Sequence, residues 1–276
     1  MESSEKFCQP CASLLEWLTT PFGHTQLLFG FIRQEVKGRF AGSVLGLFWS
    51  VLSPLSNILI YFFVFSVIFR IKMPQVETGT TSFTIYLLSG FLPWMAFAEG
   101  LGKATGCLLD NRAIISKVAF PVQVIPWSVV SVAFLLNGIG LLLFLLYLAV
   151  HGLAKGAWIM LPLQFAMLYG FTLGLAAFLA ALTLFLRDLR EMVGMGLQLW
   201  FYATPILYPL SMVPPRFVAL VRLNPALPFI ESFRQSILQG IYWSPSFTMS
   251  LLLGCLSLLA GGLCFMQLRS AFGDVV

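Results

Sequence analysis

Residues whose type and spacing could do chemistry are few in this chain. Cys8 and Cys11 form a Cys-x-x-Cys pair, but they have no second pair and no strand–helix context, so a zinc or redox site is only a minor alternative. The run from Gly100 to Lys103 ends like a phosphate-binding loop, yet Ala104 stands where a Ser or Thr should contact Mg²⁺. His-Glu-x-x-His and Gly-x-Ser-x-Gly motifs are also missing from the sequence. We therefore expect no catalytic residue, no metal site and no cofactor bound by this chain.

Aromatic residues crowd one apolar stretch of the sequence. Four of them lie close together: Trp200, Phe201, Tyr202 and Tyr208. Aromatic faces can stack on sugar rings, and a phenol adds a hydrogen bond. With about 3.6 residues per helical turn, Trp200, Thr204 and Tyr208 would share one helix face, which Pro205 would bend. We expect this face to line a path for sugars, although ordinary helix packing explains any single ring equally well.

The composition requires a lipid environment. Hydrophobic residues make up 59 % of the 276 residues and charged residues 10 %, with a mean hydropathy of +0.91. Soluble domains contain roughly 45–50 % apolar and about 25 % charged residues. The net charge of +5 suits cytoplasmic loops and lipid headgroups rather than nucleic acid. With this composition, we expect residues 1–276 to form a single transmembrane domain. The first long apolar run begins near Phe40, which is too late in the sequence for a cleaved signal peptide.

Stretches without Asp, Glu, Lys or Arg predict where the chain crosses the membrane. Six of them can each hold the ~20 apolar residues that a spanning helix needs. The predicted helix cores are 44–68, 82–101, 124–150, 157–184, 192–209 and 247–267. We therefore expect an all-α membrane protein with six transmembrane helices. The scarcity of ionisable residues in these cores argues against a proton-driven transporter.

The distribution of Lys and Arg predicts the orientation of the chain. Of the 16 basic residues, 10 fall on the side that carries both termini and 6 on the opposite side. Because basic residues accumulate in cytoplasmic loops, we expect both termini in the cytoplasm.

Two further segments flank the predicted spans. Residues 25–40 have apolar residues at every fourth position and Arg33 and Lys37 on another face, which predicts a helix in the cytoplasmic interface or, alternatively, a solvated tail helix. Residues 210–246 are too apolar for an ordinary loop and contain five prolines, which exclude one long helix. We expect short, half-buried or re-entrant helices there, on the outward side.

Four motifs occur in order between about residues 33 and 240. They are 33–54 (RQEVKGRFAGSVLGLFWSVLSP), 110–121 (DNRAIISKVAFP), 187–189 (RDL) with 198–209 (QLWFYATPILYP), and 224–225 (NP) with Glu231 and Arg234 downstream. Together they resemble the permease subunits of ABC-type exporters of polysaccharide, O-antigen and polyol phosphate. One position departs from the family, which usually has Tyr where Phe40 stands.

The resemblance implies a function and its partners. Such permeases export lipid-linked polysaccharides across the bacterial inner membrane, and O-antigen is the first expectation here, followed by capsule or teichoic acid. They work as dimers with two separate ATPase subunits, which bind ATP and Mg. The chain itself is then a multi-pass permease and not an enzyme.

The resemblance also implies roles for particular residues. The cytoplasmic loop 103–120 would couple to the ATPase through Lys103, Asp110, Asn111, Arg112 and Lys117, unless these charges only set the topology. The cytoplasmic interface would contain Arg33, Lys37 and Arg39. The substrate channel, between the first and fifth spans, would be lined by Trp49, Trp200, Phe201, Thr204 and Tyr208. The outward gate, 210–246, would include Pro214, Asn224, Pro225, Glu231 and Arg234.

Two other classes compete with this interpretation. An ABC permease of the same fold could export a drug or a lipid, but the motif from Trp200 to Pro209 argues against it. A membrane-embedded transferase acting on lipid-linked sugars would need an acid or base at membrane depth, and the sequence offers none.

Overall fold

The computed structural model describes residues 2–43, 45–69, 73, 75–117 and 120–272, and no β-strand occurs in these ranges. Helices α1 to α6 are Glu2–Gly23, Thr25–Phe40, Trp49–Phe62, Gln75–Thr78, Phe83–Asp110 and Arg112–Ile115. Helices α7 to α12 are Val124–Val150, Leu161–Thr183, Leu189–Ala203, Pro215–Arg222, Leu227–Arg234 and Pro245–Leu268. A π-helical stretch, Phe63–Ile68, continues α3, and another, Gln235–Gln239, follows α11.

Three helical stretches of the described chain are long and apolar enough to cross a membrane. They are Val124–Val150, Gly156–Thr183 and Pro245–Ala271, which contain 27, 28 and 27 residues. They coincide with the third, fourth and sixth predicted cores. The first and second predicted cores fall in α3 with its π-helical continuation and in α5. The all-helical class is therefore confirmed, and the count of six spans stays a prediction.

The fifth predicted core, 192–209, is wrong in its second part. Helix α9 ends at Ala203, and Thr204 has extended backbone angles (φ −94°, ψ 132°). The cause is Pro205, which has no N–H to donate and disfavours the helical conformation of the residue before it. Trp200, Thr204 and Tyr208 therefore do not share a helix face, because only Trp200 lies in the helix.

Small residues allow α8 and α12 to pack with their backbones in contact. A Cβ on Gly174 would collide with the carbonyl oxygen of Ser257, and one on Gly261 with that of Gly174. Two turns away, a Cβ on Gly254 would lie 2.7 Å from the carbonyl oxygen of Met167. The Ser257 hydroxyl donates a hydrogen bond to the carbonyl of Phe171 across the interface (2.8 Å). Small residues and such polar contacts are the usual basis of helix association in lipid.

The sequence analysis made no prediction for the N-terminal helix α1. Its Trp17 is fully buried, with ring centroids 5.8 Å from Trp127 of α7 and 5.4 Å from Phe265 of α12. Gly262 leaves the room that this indole occupies. Glu16 adds an ion pair with Arg269 (2.5 Å). Trp17 therefore anchors the C-terminal part of α1 against α7 and α12.

The predicted coupling loop, 103–120, is in large part helical. Helix α5 continues to Asp110, and α6 follows at once as Arg112–Ile115. The helix persists because the five consecutive residues from Ala104 to Leu108 are all buried against neighbouring helices. Residues 118 and 119 lie outside the described ranges.

The Pro-rich segment 210–246 consists of short helices, as its prolines predict. Pro215 and Pro228 lie in the first turns of α10 and α11, where a missing N–H costs no hydrogen bond. The π-helical stretch after α11 ends at Gly240, whose φ of +75° favours glycine. Helix α11 is largely buried, whereas α10 is largely exposed.

Candidate functional site

The end of α9 is held by Arg234, a residue of the predicted gate. Its side chain is only 7 % exposed, and its two terminal nitrogens donate to the carbonyls of Pro205 (2.6 Å) and Ile206 (2.7 Å). These two carbonyls lie just after the end of α9, so they have no partner in the backbone hydrogen bonds of a helix. A planar guanidinium can satisfy both at once, which a lysine cannot do with the same geometry.

Helix α5 provides a flat slot for this guanidinium. Its central carbon lies 3.8 Å from the centroid of the Tyr86 ring, a cation–π contact. A Cβ on Gly90 would lie 2.9 Å from one terminal nitrogen of Arg234, so a larger residue there would displace the guanidinium from this position. The Tyr86 hydroxyl donates to the carbonyl of Tyr208 (3.3 Å). Arg234 and Tyr86 thus join α5, α11 and the segment after α9.

Asn224, another predicted gate residue, is bonded to two residues of the predicted channel. Its side-chain oxygen accepts from the indole N–H of Trp200 (2.7 Å) and its amide donates to the hydroxyl of Thr204 (2.8 Å). The same oxygen accepts from the backbone N–H of Ala226 (2.9 Å). Sequence reasoning singled out the residues of both sets but had no means of showing that they touch. Asn224 thus connects the two sets at the C-terminal end of α9, which is its predicted outward end.

The aromatic side of α9 faces the interior of the protein. The Trp200 ring lies 5.2 Å from Phe97 and 6.0 Å from Trp94 of α5, both edge to face. Phe201 lies 5.9 Å from Trp94, and Thr204 is fully buried. Trp200 and Phe201 pack α9 onto α5 but are only half-buried, so their place in the substrate channel stays a prediction.

The exposed side of α9 carries other residues. They are Met192, Met195, Leu199 and Tyr202, with exposed fractions of 60, 63, 73 and 59 %. Trp49, at the start of α3, is 44 % exposed. Phe91 of α5 contacts both Tyr61 of α3 (4.9 Å) and Phe201 (6.0 Å), so α3 and α9 flank the same part of α5. The spacing of these four residues, three or four positions apart, is the sequence signal that could have identified the exposed side of α9. The sequence analysis used the run of aromatic residues instead.

An ionic cluster joins α2, α5 and α7 at the predicted cytoplasmic side. Arg39 binds Glu99 (2.6 Å), which also pairs with Lys103 (3.1 Å). The amide of Asn137 donates to the second oxygen of Glu99 (2.6 Å). Glu99 is the centre of this cluster and was missed as a site residue, although an acid at the end of an apolar stretch usually has a partner. Arg33 and Lys37 lie on the exposed side of α2.

Of the five predicted coupling residues, Lys103 belongs to the Glu99 cluster, and the other four separate into two groups. Asp110 pairs with Arg190 of α9 (2.8 Å), and Asn111 donates to the carbonyl of Cys107 (2.9 Å), so both are engaged within the chain. Arg112 and Lys117 have exposed side chains on and just after α6. The exposed surface of α6 and of the residues just after it is therefore basic.

Acidic and sulfur side chains do not form a metal site in the part of the chain that the structure describes: no three of His, Cys, Asp and Glu lie together there. Cys107, beyond the predicted core of the second span, is enclosed by α5 and its neighbours. This burial raises the pKa of the Cys107 thiol, so the thiolate needed for reaction is rare.

The chain is similar to several characterised transport proteins, although no family model matches it. It is 34 % identical over 215 residues to the O-antigen export system permease protein RfbA of Myxococcus xanthus, covering 75 % of this chain and 78 % of that protein. It is 30 % identical over 252 residues to an RfbA of Klebsiella pneumoniae, covering 91 % and 95 %. It is 21 % identical over 212 residues to the polysialic acid transport protein KpsM of Escherichia coli, covering 76 % and 80 %. The resemblance found in the motifs is thereby confirmed, and the chain belongs to the family of O-antigen export permeases.

Proposed function

We propose that this chain is the membrane-spanning subunit of an ATP-driven ABC exporter that moves a lipid-linked polysaccharide, O-antigen in the first place, across the bacterial inner membrane. The observation that carries the proposal is the 30 % identity to an O-antigen export permease over 91 % of the chain. Six spans with both termini in the cytoplasm fit this role. A second copy of the chain and two ATPase subunits, which bind ATP and Mg, complete the exporter.

The ATPase docks on the turn around α6. The turn follows directly from α5, whose end is braced by the Asp110–Arg190 ion pair, so a movement of the turn is passed on to α5 and α9. Arg112 and Lys117 present positive charge to the partner from its exposed surface. The cluster around Glu99 connects α2 to the same end of α5.

The polysaccharide passes along the exposed sides of α3 and α9. Trp49 and Tyr202 have exposed aromatic faces there, and such faces stack on sugar rings without hydrogen bonds that select one particular sugar. Trp200, Phe201 and Thr204 lie behind this wall and hold α9 against α5. Many weak contacts of this kind let the polysaccharide keep moving, because no single contact holds it tightly.

Cysteine substitutions along α9 test this route. In a background without the other reactive cysteines, Leu199→Cys and Tyr202→Cys are expected to react with a charged, membrane-impermeant thiol reagent, because their positions face water in the conduit. Thr204→Cys is the matched control and should stay unmodified, because Thr204 is fully buried. Labelling is measured in membranes by mass shift. Faster labelling of Thr204→Cys than of Tyr202→Cys would show that the wall is assigned to the wrong side.

Deletion of the gene tests the function as a whole. Cells without the chain should lose surface polysaccharide and accumulate its lipid-linked form on the cytoplasmic side, and the wild-type gene should restore export.

The double variant Arg112→Glu/Lys117→Glu should not restore export in the deletion strain, because like charges across an interface cost several kcal/mol. The measurements are surface glycan staining and co-purification of the ATPase.

The matched control reverses two exposed charges elsewhere. Arg216→Glu/Arg222→Glu changes the net charge equally but lies in α10, on the predicted outward side, and should restore export. Unchanged surface polysaccharide in the deletion strain would refute the proposed function. Full export and full ATPase co-purification with the α6 double variant would refute only the docking surface.

A further inference from the structure

One carboxylate, that of Glu99, joins three helices at the predicted cytoplasmic side. One of its oxygens accepts from Arg39 of α2 (2.6 Å) and pairs with Lys103 of α5 (3.1 Å). Its other oxygen accepts from the amide of Asn137 (2.6 Å), and the same amide donates to the carbonyl of Ala133 (2.9 Å) on α7. Glu99 therefore has one partner on its own helix, one on α7 and one on α2.

Arg39 can exchange Glu99 for a second carboxylate. Glu35 lies one turn earlier on α2, and its carboxylate oxygen is 3.6 Å from Nε of Arg39, which is the distance of an ion pair without a hydrogen bond. If Arg39 leaves Glu99, it stays paired with Glu35. Glu99 in turn keeps its bonds to Lys103 and Asn137. Because neither arrangement leaves a charge without a partner, the contact between α2 and α5 can break and re-form without the high cost of an unpaired buried ion.

The position of the contact matters more than its strength. The side chains of Glu99 and Lys103 are 26 % and 43 % exposed, and ion pairs with such access to water stabilise a fold only weakly. The side chain of Arg39 is 11 % exposed, and its desolvation offsets much of what its pair with Glu99 contributes. What the pair does provide is direction, since it holds α2 at one place along α5.

The contact lies between the two ends of the proposed coupling path. Lys103 is one turn beyond Glu99 towards the end of α5, where α6 presents the docking surface. Arg39 is the last residue but one of α2, and the chain then leads to Trp49 at the start of α3, beside the proposed polysaccharide path. A movement of α6 and α5 therefore acts on α2 and α3 through the pair of Arg39 and Glu99.

We propose that Glu99 is a positioning residue of the export cycle, whose bond to Arg39 holds α2 against α5 in one state of the permease and is released in the other. The proposal rests on the proposed function and adds to it the contact through which the docking turn moves α3. Glu99 touches neither the ATPase nor the polysaccharide and acts only through α2 and α5.

Glu99→Gln tests this role in the deletion strain and in the complex with the ATPase, purified in nanodiscs. The amide keeps the size of the side chain and can still accept from Asn137, but the charge that binds Arg39 is lost. Surface polysaccharide should fall about tenfold or more, the effect of losing one charge-assisted hydrogen bond. The ATPase should still co-purify and hydrolyse ATP, and the melting temperature of the permease should stay close to that of the wild type. A merely structural role would lower the melting temperature and the yield of complex together with export.

Two substitutions of Arg39 keep the test decisive even where Glu99→Gln fails to fold. Arg39→Lys keeps a charge that can pair with Glu99 and should retain most of the export, because only one nitrogen of Arg39 bonds to that carboxylate. Arg39→Gln should lose as much export as Glu99→Gln. The double variant Arg39→Gln/Glu99→Gln should export no less than either single variant, because both act through the same bond.

Glu16→Gln is the matched control, since it removes a carboxylate from another ion pair between two helices, with Arg269, and should export like the wild type. Three outcomes would overturn the positioning role: full surface polysaccharide with Glu99→Gln, equal export by Arg39→Lys and Arg39→Gln, or a loss of export that follows a lowered melting temperature and yield. Failure of the proposed function shows instead as unchanged surface polysaccharide in the deletion strain. Export that depends on the chain but not on Glu99 would refute the positioning role and leave the function standing.

Discussion

Replacement of Arg234 by leucine is expected to lower the stability of the permease severely and to abolish export. The substitution removes two charge-assisted hydrogen bonds to the carbonyls of Pro205 and Ile206, and a leucine cannot replace them. Such bonds contribute about 1.5–3 kcal/mol each, so the free energy of unfolding should fall by about 3–6 kcal/mol. For a chain of this size that corresponds to a melting temperature lower by roughly 10 °C or more. The measurement is thermal unfolding in detergent, followed by size-exclusion chromatography.

Two further variants separate the geometry from the charge. Arg234→Lys keeps the charge but lacks the planar fork that reaches both carbonyls, so it should recover only part of the stability. Arg222→Leu is the matched control, because Arg222 is exposed in α10, where a substitution changes stability by about 0.5 kcal/mol or less. A melting temperature of Arg234→Leu equal to that of Arg222→Leu would show that the end of α9 does not depend on this side chain.

The parts of the fold that sequence predicts are those that depend on local physics. The apolar stretches that became Val124–Val150, Gly156–Thr183 and Pro245–Ala271 are long enough to span a bilayer whatever surrounds them. The prolines of 210–246 break that segment into short helices for an equally local reason. The helix over Thr25–Phe40 follows from its apolar periodicity.

The parts that sequence did not predict depend on partners far away in the chain. Nothing near Trp17 indicates that Gly262 leaves room for its indole, and nothing near Arg234 indicates that two carbonyls after α9 need its guanidinium. The end of α9 is an intermediate case. Pro205 was recognised, but it was expected to bend the helix, whereas the helix ends and the freed carbonyls are satisfied from α11.

The contacts around Asn224 change how the predicted outward end of the molecule is understood. The channel and gate residues were expected to have separate roles, in the fifth span and in the following segment. In the structure Asn224 is hydrogen-bonded to both Trp200 and Thr204. Arg234 donates to the carbonyls of Pro205 and Ile206, which are the next two residues after Thr204. Hydrogen bonds therefore join the end of α9 to the gate segment, and a movement of one against the other would break them.

A second large effect is expected at the contact between α8 and α12, where Gly174→Ala should prevent normal packing. The added methyl group would collide with the carbonyl oxygen of Ser257, which is a backbone atom of the facing helix and cannot turn aside as a flexible side chain can. The two helices must separate, and the hydrogen bond from Ser257 to Phe171 is then lost as well. Overpacking typically costs about 1–3 kcal/mol, and a backbone collision belongs at the upper end of that range. We expect a low yield of folded permease and a clearly reduced melting temperature.

Gly194→Ala is the matched control for this prediction, since it adds the same methyl group to another helix. A Cβ at Gly194 would meet none of the described atoms within 4 Å. Because alanine favours a helix interior over glycine by about 0.5–1 kcal/mol, this variant should be as stable as the wild type or slightly more stable. The comparison of the two variants therefore cancels the gain in helix propensity and leaves only the cost of the contact. Equal melting temperatures for Gly174→Ala and Gly194→Ala would mean that α8 and α12 do not approach as closely as their glycines allow.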